Sequence, residues 1–280
     1  MPDTYIKNAN TWSKLKKAFI KNSGTWSEIK TIWIRNSGVW QKVFVNETVV
    51  NVSSQNNINL KTLYTNQTGS SPSSAVRVVY NINGNIGSTS TATASLVTDT
   101  WPAGSEIVIN VANGVYVAGA GGIISSVGAR NGGNGGTAIS LSYNVTIVNS
   151  GVIGGGGGAG GGVNISTPPY GTLLSNGGNG AGLTAGSGAT LTAGGAAGGV
   201  VETNACSDGF CQCWYRGYAG AGGGLGANGV AGVARWSGGN CNTDTFYANG
   251  GTAGTAGNAI ALNGNTATRS GSGTTLGTVS

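Results

Sequence analysis

The first 46 residues alternate apolar and polar positions in three copies of one unit, repeated every fourteen residues. Alternation with a period of two predicts β-strands, and an Asn-Ser-Gly step between two such runs predicts a tight hairpin turn. The sequence therefore predicts a module of β-hairpins over residues 1–46. Equivalent aromatic positions in the three copies are Trp12, Trp26 and Trp40, and also Tyr5, Phe19 and Trp33.

Three copies of one unit can form an object with pseudo-threefold symmetry. Such an object is suited to cap a trimeric partner, because each copy can meet one subunit. On this interpretation Trp12, Trp26 and Trp40 attach the chain to its partner. The alternative is a plain module of three hairpins in which the same tryptophans form the core, and the sequence leaves both interpretations open.

The next segment, residues 47–118, contains short runs rich in β-branched residues, separated by Ser, Asn, Gly and Pro. This pattern predicts an ordinary β domain, and no chemistry stands out in it. The predicted β-rich runs cover residues 49–52, 58–63, 75–82 and 106–111.

Beyond this domain the pattern changes to runs of glycine that alternate with inserts. Only five of the 54 glycines lie in residues 1–100. Glycine loses the most backbone entropy on folding and buries no side chain. A glycine tract is therefore either disordered or held by backbone contacts that only glycine permits.

The glycine runs fit neither collagen nor a linker. Glycine at every third residue does not persist, which excludes collagen, and linkers do not usually alternate with inserts that contain Trp, Tyr and Cys. We predict polyglycine-II strands packed side by side, in which the run 154–162 spans roughly 28 Å. The predicted fold is all-β N-terminal modules followed by a polyglycine-II sandwich over residues 119–280, with essentially no α-helix.

The inserts between the glycine runs hold most of the aromatic and charged residues of this unit. Loops on a rigid scaffold often carry function, and Tyr, Trp and Arg are enriched at binding hot spots. The alternative is that these side chains fold back over the glycine layers as lids. The predicted binding residues are Pro168, Pro169, Tyr170, Phe210, Trp214, Tyr215, Arg216, Tyr218, Trp236, Phe246 and Tyr247.

Four cysteines fall in two of these inserts: Cys206, Cys211, Cys213 and Cys241. Their spacing matches no common zinc pattern and the chain has no histidine, so we expect no metal and no cofactor. Disulfides that stiffen the inserts are the preferred interpretation for a protein that works outside a cell. The spacing leaves all three pairings open.

Catalysis is poorly supported by the residues present. Histidine, the commonest general base, is absent, and only Glu202, Asp208 and Asp244 are acidic beyond residue 106. Asp208 and Asp244 are candidates for a glycosidase pair, but both lie in segments where Asp is ordinary turn chemistry. We expect a binding protein and not an enzyme.

The net charge is +6, and most of it lies in residues 1–50, where lysines are interleaved with tryptophans. Nucleic-acid binding proteins show such patterns, yet lysine alternating with apolar residues is also typical of the solvated face of a small sheet. We therefore expect no nucleic-acid partner. No apolar run approaches a membrane span and no signal peptide is visible, which favours synthesis in a cytoplasm and release by lysis.

Residues 145–153, running into the glycines of 154–162 after the glycines of 132–136, resemble the glycine-rich receptor-recognition proteins at the long-tail-fibre tips of T-even-like bacteriophages. Residues 107–117 resemble the strand that precedes the glycine domain in that family, so the resemblance covers about residues 105–265. It implies a virion protein at the fibre tip whose distal loops contact an outer-membrane protein or surface glycan of the host. It also implies a Trp-bearing part that docks on a trimeric tail-fibre or tail protein. The fourteen-residue repeat departs from that family and is more like modules of other phage tail proteins.

Two rival interpretations belong to other functional classes. A glycine-rich structural surface protein should carry repetitive inserts, whereas the inserts here differ from one another. An ice-binding glycine bundle needs flat, regular, Thr-rich faces without bulky loops. Both rivals therefore fit the inserts less well than an adhesin does.

Overall fold

The computed structural model describes residues 5–8, 10–15, 17–29, 31–45, 47–124, 131–167, 171–183, 188–204, 214–237 and 247–280. These ranges contain many strands and a single short helix, which confirms the predicted all-β class. In chain order the elements are β1 (Tyr5–Asn8), β2 (Thr11–Lys14), β3 (Ala18–Asn22), β4 (Thr25–Ile29), β5 (Thr31–Asn36), β6 (Val39–Val45), β7 (Glu47–Val52), β8 (Gln55–Asn56), β9 (Ile58–Asn59), α1 (Leu60–Thr68), β10 (Arg77–Ile82), β11 (Ile86–Gly87), β12 (Leu96–Val97), β13 (Glu106–Val111), β14 (Tyr116–Ala118), β15 (Ile139–Ser140), β16 (Val145–Asn149), β17 (Val152–Gly154), β18 (Val163–Thr167), β19 (Gly171–Ser175), β20 (Val201–Asn204), β21 (Trp214–Tyr218), β22 (Val233–Ser237), β23 (Tyr247–Gly250), β24 (Ile260–Ala261), β25 (Ala267–Ser270) and β26 (Thr274–Leu276).

The N-terminal repeat forms antiparallel hairpins: β1 with β2, β3 with β4, and β5 with β6. Ser23 and Gly24 have φ angles of 47° and 85°, and the equivalent residues Ser37 and Gly38 have 48° and 82°. Two consecutive residues with positive φ make the type I′ turn, whose twist matches that of paired strands. The repeat therefore folds as one hairpin per copy.

Residues 47–118 form most of a parallel β-solenoid, in which each coil except the last adds one strand to each of three sheets. The sheets have the orders β25-β16-β13-β10-β7, β26-β17-β14-β11-β8 and β24-β15-β12-β9, and all their pairs are parallel. The turns between coils place equivalent residues on top of one another. The solenoid core is thus built from stacked rows of side chains.

One such row is Val50, Tyr80, Ile109 and Ile147, which are register partners on β7, β10, β13 and β16. All four side chains are buried, because the alternation of each strand turns every second residue inward. Burying an aliphatic side chain of this size stabilises a fold by about 1.5–3 kcal/mol. The solenoid is therefore held by ordinary side-chain packing.

The helix α1 corrects one prediction, because residues 60–63 were expected to be β. The Asn59 side chain accepts a hydrogen bond from the Thr62 N–H at 3.0 Å, which caps the first turn. Gly69 ends the helix with φ 78°, and its N–H donates to the Thr65 carbonyl. Leu60 and Tyr64 bury the inner side of the helix against the solenoid core.

The glycine-rich unit is formed by the two chain segments that follow β14 and β17. Its central run, residues 155–162, is fully buried. Successive N–H groups of this run donate in turn to three neighbours, and every third donor returns to the same neighbour. Gly156 and Ala159 donate to run 132–137, Gly157 and Gly160 to run 176–182, and Gly158 and Gly161 to run 227–232.

The carbonyl groups of the central run repeat the same pattern with three further neighbours. They accept from runs 119–123, 219–226 and 251–258 at 2.8 to 3.0 Å. The central run is thus surrounded by six others. A period of three residues is that of a polyproline-II helix, whose backbone groups point outward in three directions.

At many positions this packing requires glycine, because the neighbouring backbone approaches too closely for a Cβ atom. A Cβ atom on Gly156 would overlap the carbonyl oxygen of Ala120. The packed glycine runs together form what we call the glycine lattice. At its edge, where a run has no further run beside it, asparagine side chains accept the backbone hydrogen bonds instead. Asn131 and Asn134 accept hydrogen bonds from the backbone N–H groups of Thr252 and Thr255 at 3.1 and 2.9 Å.

After residue 259 the chain returns to the solenoid. The sequence placed residues 119–280 in one glycine-rich unit, whereas the structure pairs β24, β25 and β26 with β15, β16 and β17. The glycine-rich unit, residues 119–138 and 155–259, is therefore inserted between strands of the solenoid. Both of its ends are anchored in the same sheets.

Candidate functional site

The predicted inserts emerge together at the end of the glycine-rich unit that points away from the solenoid. The central run leaves the solenoid at β17 and reaches β18 after eight residues, about 25 Å at 3.1 Å per residue. Glycine runs that follow one another in the chain reverse direction, so the segments 163–175, 200–218 and 233–250 all begin and end at this distal end. The pattern of glycine runs did not by itself predict this gathering, whereas the resemblance to the phage tip proteins implied distal loops.

In the described part of the chain these segments form two antiparallel three-stranded sheets. The first distal sheet has the order β19-β18-β23, and the second distal sheet has the order β20-β21-β22. They pack on each other through Gly217, where a Cβ atom would lie 2.5 Å from Cγ1 of the buried Val163. Glycine at this point lets the two sheets approach closely and hold each other in place.

The structure locates only part of the predicted binding set. Trp214, Tyr215, Arg216 and Tyr218 lie on β21, Trp236 lies on β22, and Tyr247 begins β23. The side chains of Arg216 and Tyr218 are exposed. Other predicted residues lie outside the described part of the chain: Pro168, Pro169, Tyr170, Phe210 and Phe246, and the cysteines Cys206, Cys211, Cys213 and Cys241.

The exposed face of the second distal sheet carries two parallel rows of side chains. Glu202, Arg216 and Arg235 form a charged row, because Arg216 is the register partner of both other residues. The Arg216 Nη2 atom donates to Glu202 Oε1 at 3.1 Å, and this hydrogen bond raises the pKa of the guanidinium. Both side chains are partly solvent-exposed, so the ion pair adds little stability.

The second row is apolar and lies beside the first. Tyr218 on β21 is the register partner of Val233 on β22. Val200 lies on the other side of Tyr218, one residue before the Val201–Gly217 pair of β20 and β21. All three side chains are exposed. Sequence reasoning did not include Val200, Glu202, Val233 or Arg235 among the binding residues. The available signal was the alternation of residues 200–202 and 233–235, which places these residues on one face.

A family model described as Phage tail fibre adhesin Gp38 matches residues 47–280. The chain belongs to this adhesin family. It is therefore a component of a bacteriophage tail fibre, as the glycine runs and their flanking strands implied. The match begins at the first strand of the solenoid, so the hairpin module of this Gp38-family adhesin lies outside the matched residues.

A solved structure supports the fold of the adhesin. The chain is similar to one in the crystal structure of the gp37-gp38 adhesin tip complex of the bacteriophage S16 long tail fiber, with a TM-score of 0.52 and 21% identity. The likeness covers 84% of this chain and 83% of that chain. No curated protein sequence matches the chain significantly.

The hairpin module of the adhesin exposes large apolar side chains in equivalent positions. Trp12, Trp26 and Trp40 are 63–65% exposed, so they do not form a core within this chain. A basic residue stands opposite each tryptophan, and the Lys21 Nζ atom lies 5.8 Å from the ring centroid of Trp26. Large apolar side chains exposed at the same position of each hairpin are candidates for an interaction site.

Metal ligands and membrane-spanning helices are not found in the ranges that the structure describes. There, no three Cys, Asp or Glu residues gather where they could hold a metal ion. In the same ranges, no helix has the length and apolar character needed to cross a membrane.

Proposed function

We propose that this chain is a non-catalytic tip protein that links a phage tail fibre to the host surface. Its hairpin module docks on a trimeric tail-fibre or tail protein, and its distal sheets bind a host outer-membrane protein or surface glycan. The observation that carries the proposal is the gathering of the aromatic inserts at the distal end. A binding surface placed there is free to meet the host while the solenoid faces the fibre.

The glycine-rich unit serves as a polyglycine-II scaffold for this surface. Residues 155–159 and 161 of the central run each donate one hydrogen bond and accept another from a different neighbour, so the run can neither bend nor slide without breaking several of them. A rigid base lowers the entropy lost when the distal sheets bind a partner. The scaffold thereby allows small sheets to act as a preformed binding surface.

The docking role rests on the exposed tryptophans and their threefold repetition. Each hairpin presents the same set, which is a basic residue opposite a tryptophan on one face and an isoleucine on the other. A trimeric partner offers equivalent grooves to three such sets. The similar solved structure is a gp37-gp38 complex of a long tail fiber, which supports a fibre protein as the partner of this chain as well.

The host-binding role is tested by adsorption of the purified, labelled chain to host cells. The double variant Trp214→Ala and Tyr215→Ala should lose adsorption by at least thirtyfold, the effect of truncating a hot spot worth about 2 kcal/mol. Its melting temperature should stay unchanged. The matched control is Val49→Ala, an exposed residue of the solenoid that should adsorb normally. Unchanged adsorption with a lower melting temperature would identify Trp214 and Tyr215 as a structural lid.

The docking role is tested by replacing Trp12, Trp26 and Trp40 with alanine together. We expect the variant to fold normally and to be absent from assembled particles, because the exposed rings contribute to the interface and not to the core. Mass spectrometry of purified virions measures incorporation. Normal incorporation of the triple variant would contradict docking through the tryptophans.

A further inference from the structure

The charged residues of the glycine-rich unit are few, and those that the structure describes lie together. Residues 119–259 contain six Lys, Arg, Asp or Glu residues, and the structure describes three of them. These three are Glu202, Arg216 and Arg235, which form the charged row across the second distal sheet. The glycine runs are held together by hydrogen bonds between neutral backbone groups. The packing of these runs therefore does not depend on the charged row.

One of the two cross-strand pairs in the charged row is unfavourable for the sheet itself. Residues directly opposite on antiparallel strands have Cβ atoms about 4.5–5.5 Å apart, and like charges there are destabilising. Arg216 and Arg235 are such a pair. The Glu202 carboxylate neutralises the guanidinium of Arg216, with 3.1 Å between Oε1 and Nη2. The charge of Arg235 is left over, so the row keeps a net positive charge.

The surroundings of the arginines add a second kind of contact. Tyr218 follows Arg216 by two residues and is exposed on the same face, next to Val233 and Val200. A tyrosine ring offers an apolar face and a hydroxyl group, on which a sugar ring can lie. A guanidinium group binds a carboxylate or a phosphate with two parallel hydrogen bonds. An anionic sugar matches both chemistries at once.

The opposite face of the sheet fixes these groups in position. Gly217, between Arg216 and Tyr218, is buried against Val163 of the first distal sheet. The two exposed rows therefore stand on backbone that is packed from behind. Sites built on strands hold their groups more accurately than sites on loops.

We propose that this face of the second distal sheet binds an anionic saccharide of the host surface. Its phosphate or carboxylate lies between Arg216 and Arg235, and a sugar ring lies on Tyr218. The inference rests on the proposed host-binding role and names the ligand class and the residues. Glu202 acts as an internal competitor, because it occupies the Arg216 guanidinium when no ligand is bound.

The test uses the full chain and immobilised lipopolysaccharide from the host strain, measured by biolayer interferometry at low salt. Arg235→Gln and Arg216→Gln should each weaken binding by about tenfold or more, since each removes a charge-assisted contact. Glu202→Gln should strengthen binding several-fold, because it frees Arg216. Arg269→Gln, which removes the same charge from an exposed site on the solenoid, should bind like the original chain.

Removal of phosphate and reduction of carboxylates on the lipopolysaccharide should abolish binding, and raising the salt concentration should weaken it. No binding to intact lipopolysaccharide, or equal binding by all four variants, would overturn the inference. If the chain still adsorbs to cells in that case and protease treatment of the cells abolishes adsorption, the host-binding role stands with a protein receptor. If the chain does not adsorb to cells at all, the proposed function fails as well.

Discussion

The solenoid and the glycine-rich unit show two ways of stabilising one continuous chain. In the solenoid, large side chains such as Tyr80, Ile109 and Ile147 fill the interior, and each is completely buried. In the glycine-rich unit, the buried centre has almost no side chains, and backbone hydrogen bonds run in several directions. Side-chain packing tolerates small changes in shape, whereas the backbone packing leaves no room for a Cβ atom at positions such as Gly156, although it does at Ala159.

The difference predicts opposite responses to mutation. A solenoid is weakened when a side chain is shortened, because a cavity remains. A glycine lattice is weakened when a side chain is added, because the neighbouring backbone must move. Substitutions in the two regions should therefore separate the two modes of packing.

The substitution Gly156→Ala should be the most damaging, because its Cβ atom overlaps a backbone carbonyl that takes part in the lattice. We expect a loss of more than about 4 kcal/mol, or failure of the glycine-rich unit to fold. Thermal unfolding and limited proteolysis measure the effect. The control is Gly199→Ala, where an added Cβ atom would meet no atom within 4 Å and a change of less than about 1 kcal/mol is expected. Equal stability of the two variants would refute packing of the lattice through close backbone contact.

In the solenoid, Ile109→Ala should cost about 2–5 kcal/mol, because it leaves a cavity in a fully buried row. Val49→Ala, on the exposed face of the same sheet, should cost less than about 1 kcal/mol. Chemical denaturation of both variants measures the difference. A small effect at Ile109 would show that the solenoid relies less on its core than we infer.

Alkaline pH should weaken the solenoid through Tyr80. Burial raises the pKa of its phenol well above the ordinary value, and the hydroxyl donates to the Leu60 carbonyl at 2.5 Å. Because the folded-state pKa is the higher one, the full stability is present well below pH 10 and falls as the pH rises past it, by a slope that approaches about 1.4 kcal/mol per pH unit. Unfolding midpoints between pH 9 and 11 measure this slope. The Tyr80→Phe variant lacks the group and should show a shallower fall, and an identical slope in both chains would contradict the assignment.

The mildest change is expected at the edge of the glycine lattice. Asn134→Ala removes the acceptor of the Thr255 N–H and should cost about 0.5–1.5 kcal/mol. The exchange rate of the Thr255 amide should rise with it. Asn134→Asp keeps an acceptor oxygen at the same place and should leave the exchange rate low. Unchanged exchange in the alanine variant would show that Asn134 does not close the lattice.

The features that were predictable from the sequence are those decided by neighbouring residues. The hairpins follow from alternation and from turns such as Ser23-Gly24 and Ser37-Gly38, and the glycine runs follow from composition. The helix α1 was missed because five of its nine residues are Thr, Tyr or Asn, which have low helix propensity, although Asn59 and Gly69 were visible cap signals.

The features that were missed depend on partners far apart in the chain. The parallel solenoid pairs strands from different coils, and its signal was the repeated spacing of Asn51, Asn81 and Asn110. These three asparagines form a ladder of side-chain hydrogen bonds at 3.1 and 2.9 Å. The gathering of the distal sheets depends on the direction of each glycine run, which composition does not encode. The charged row across β20, β21 and β22 became visible only with the register of these strands.

The rigidity of the glycine lattice is measured by native-state hydrogen exchange of the backbone amides in the central run. We predict that the amides of residues 156–161, each donating within the lattice, exchange as slowly as those of β13 in the solenoid. Such protection would establish the glycine-rich unit as a rigid support for the distal sheets. Exchange at the rate of an unstructured glycine peptide would contradict this role, because the glycine-rich unit would then be flexible and could not hold the distal sheets in fixed positions.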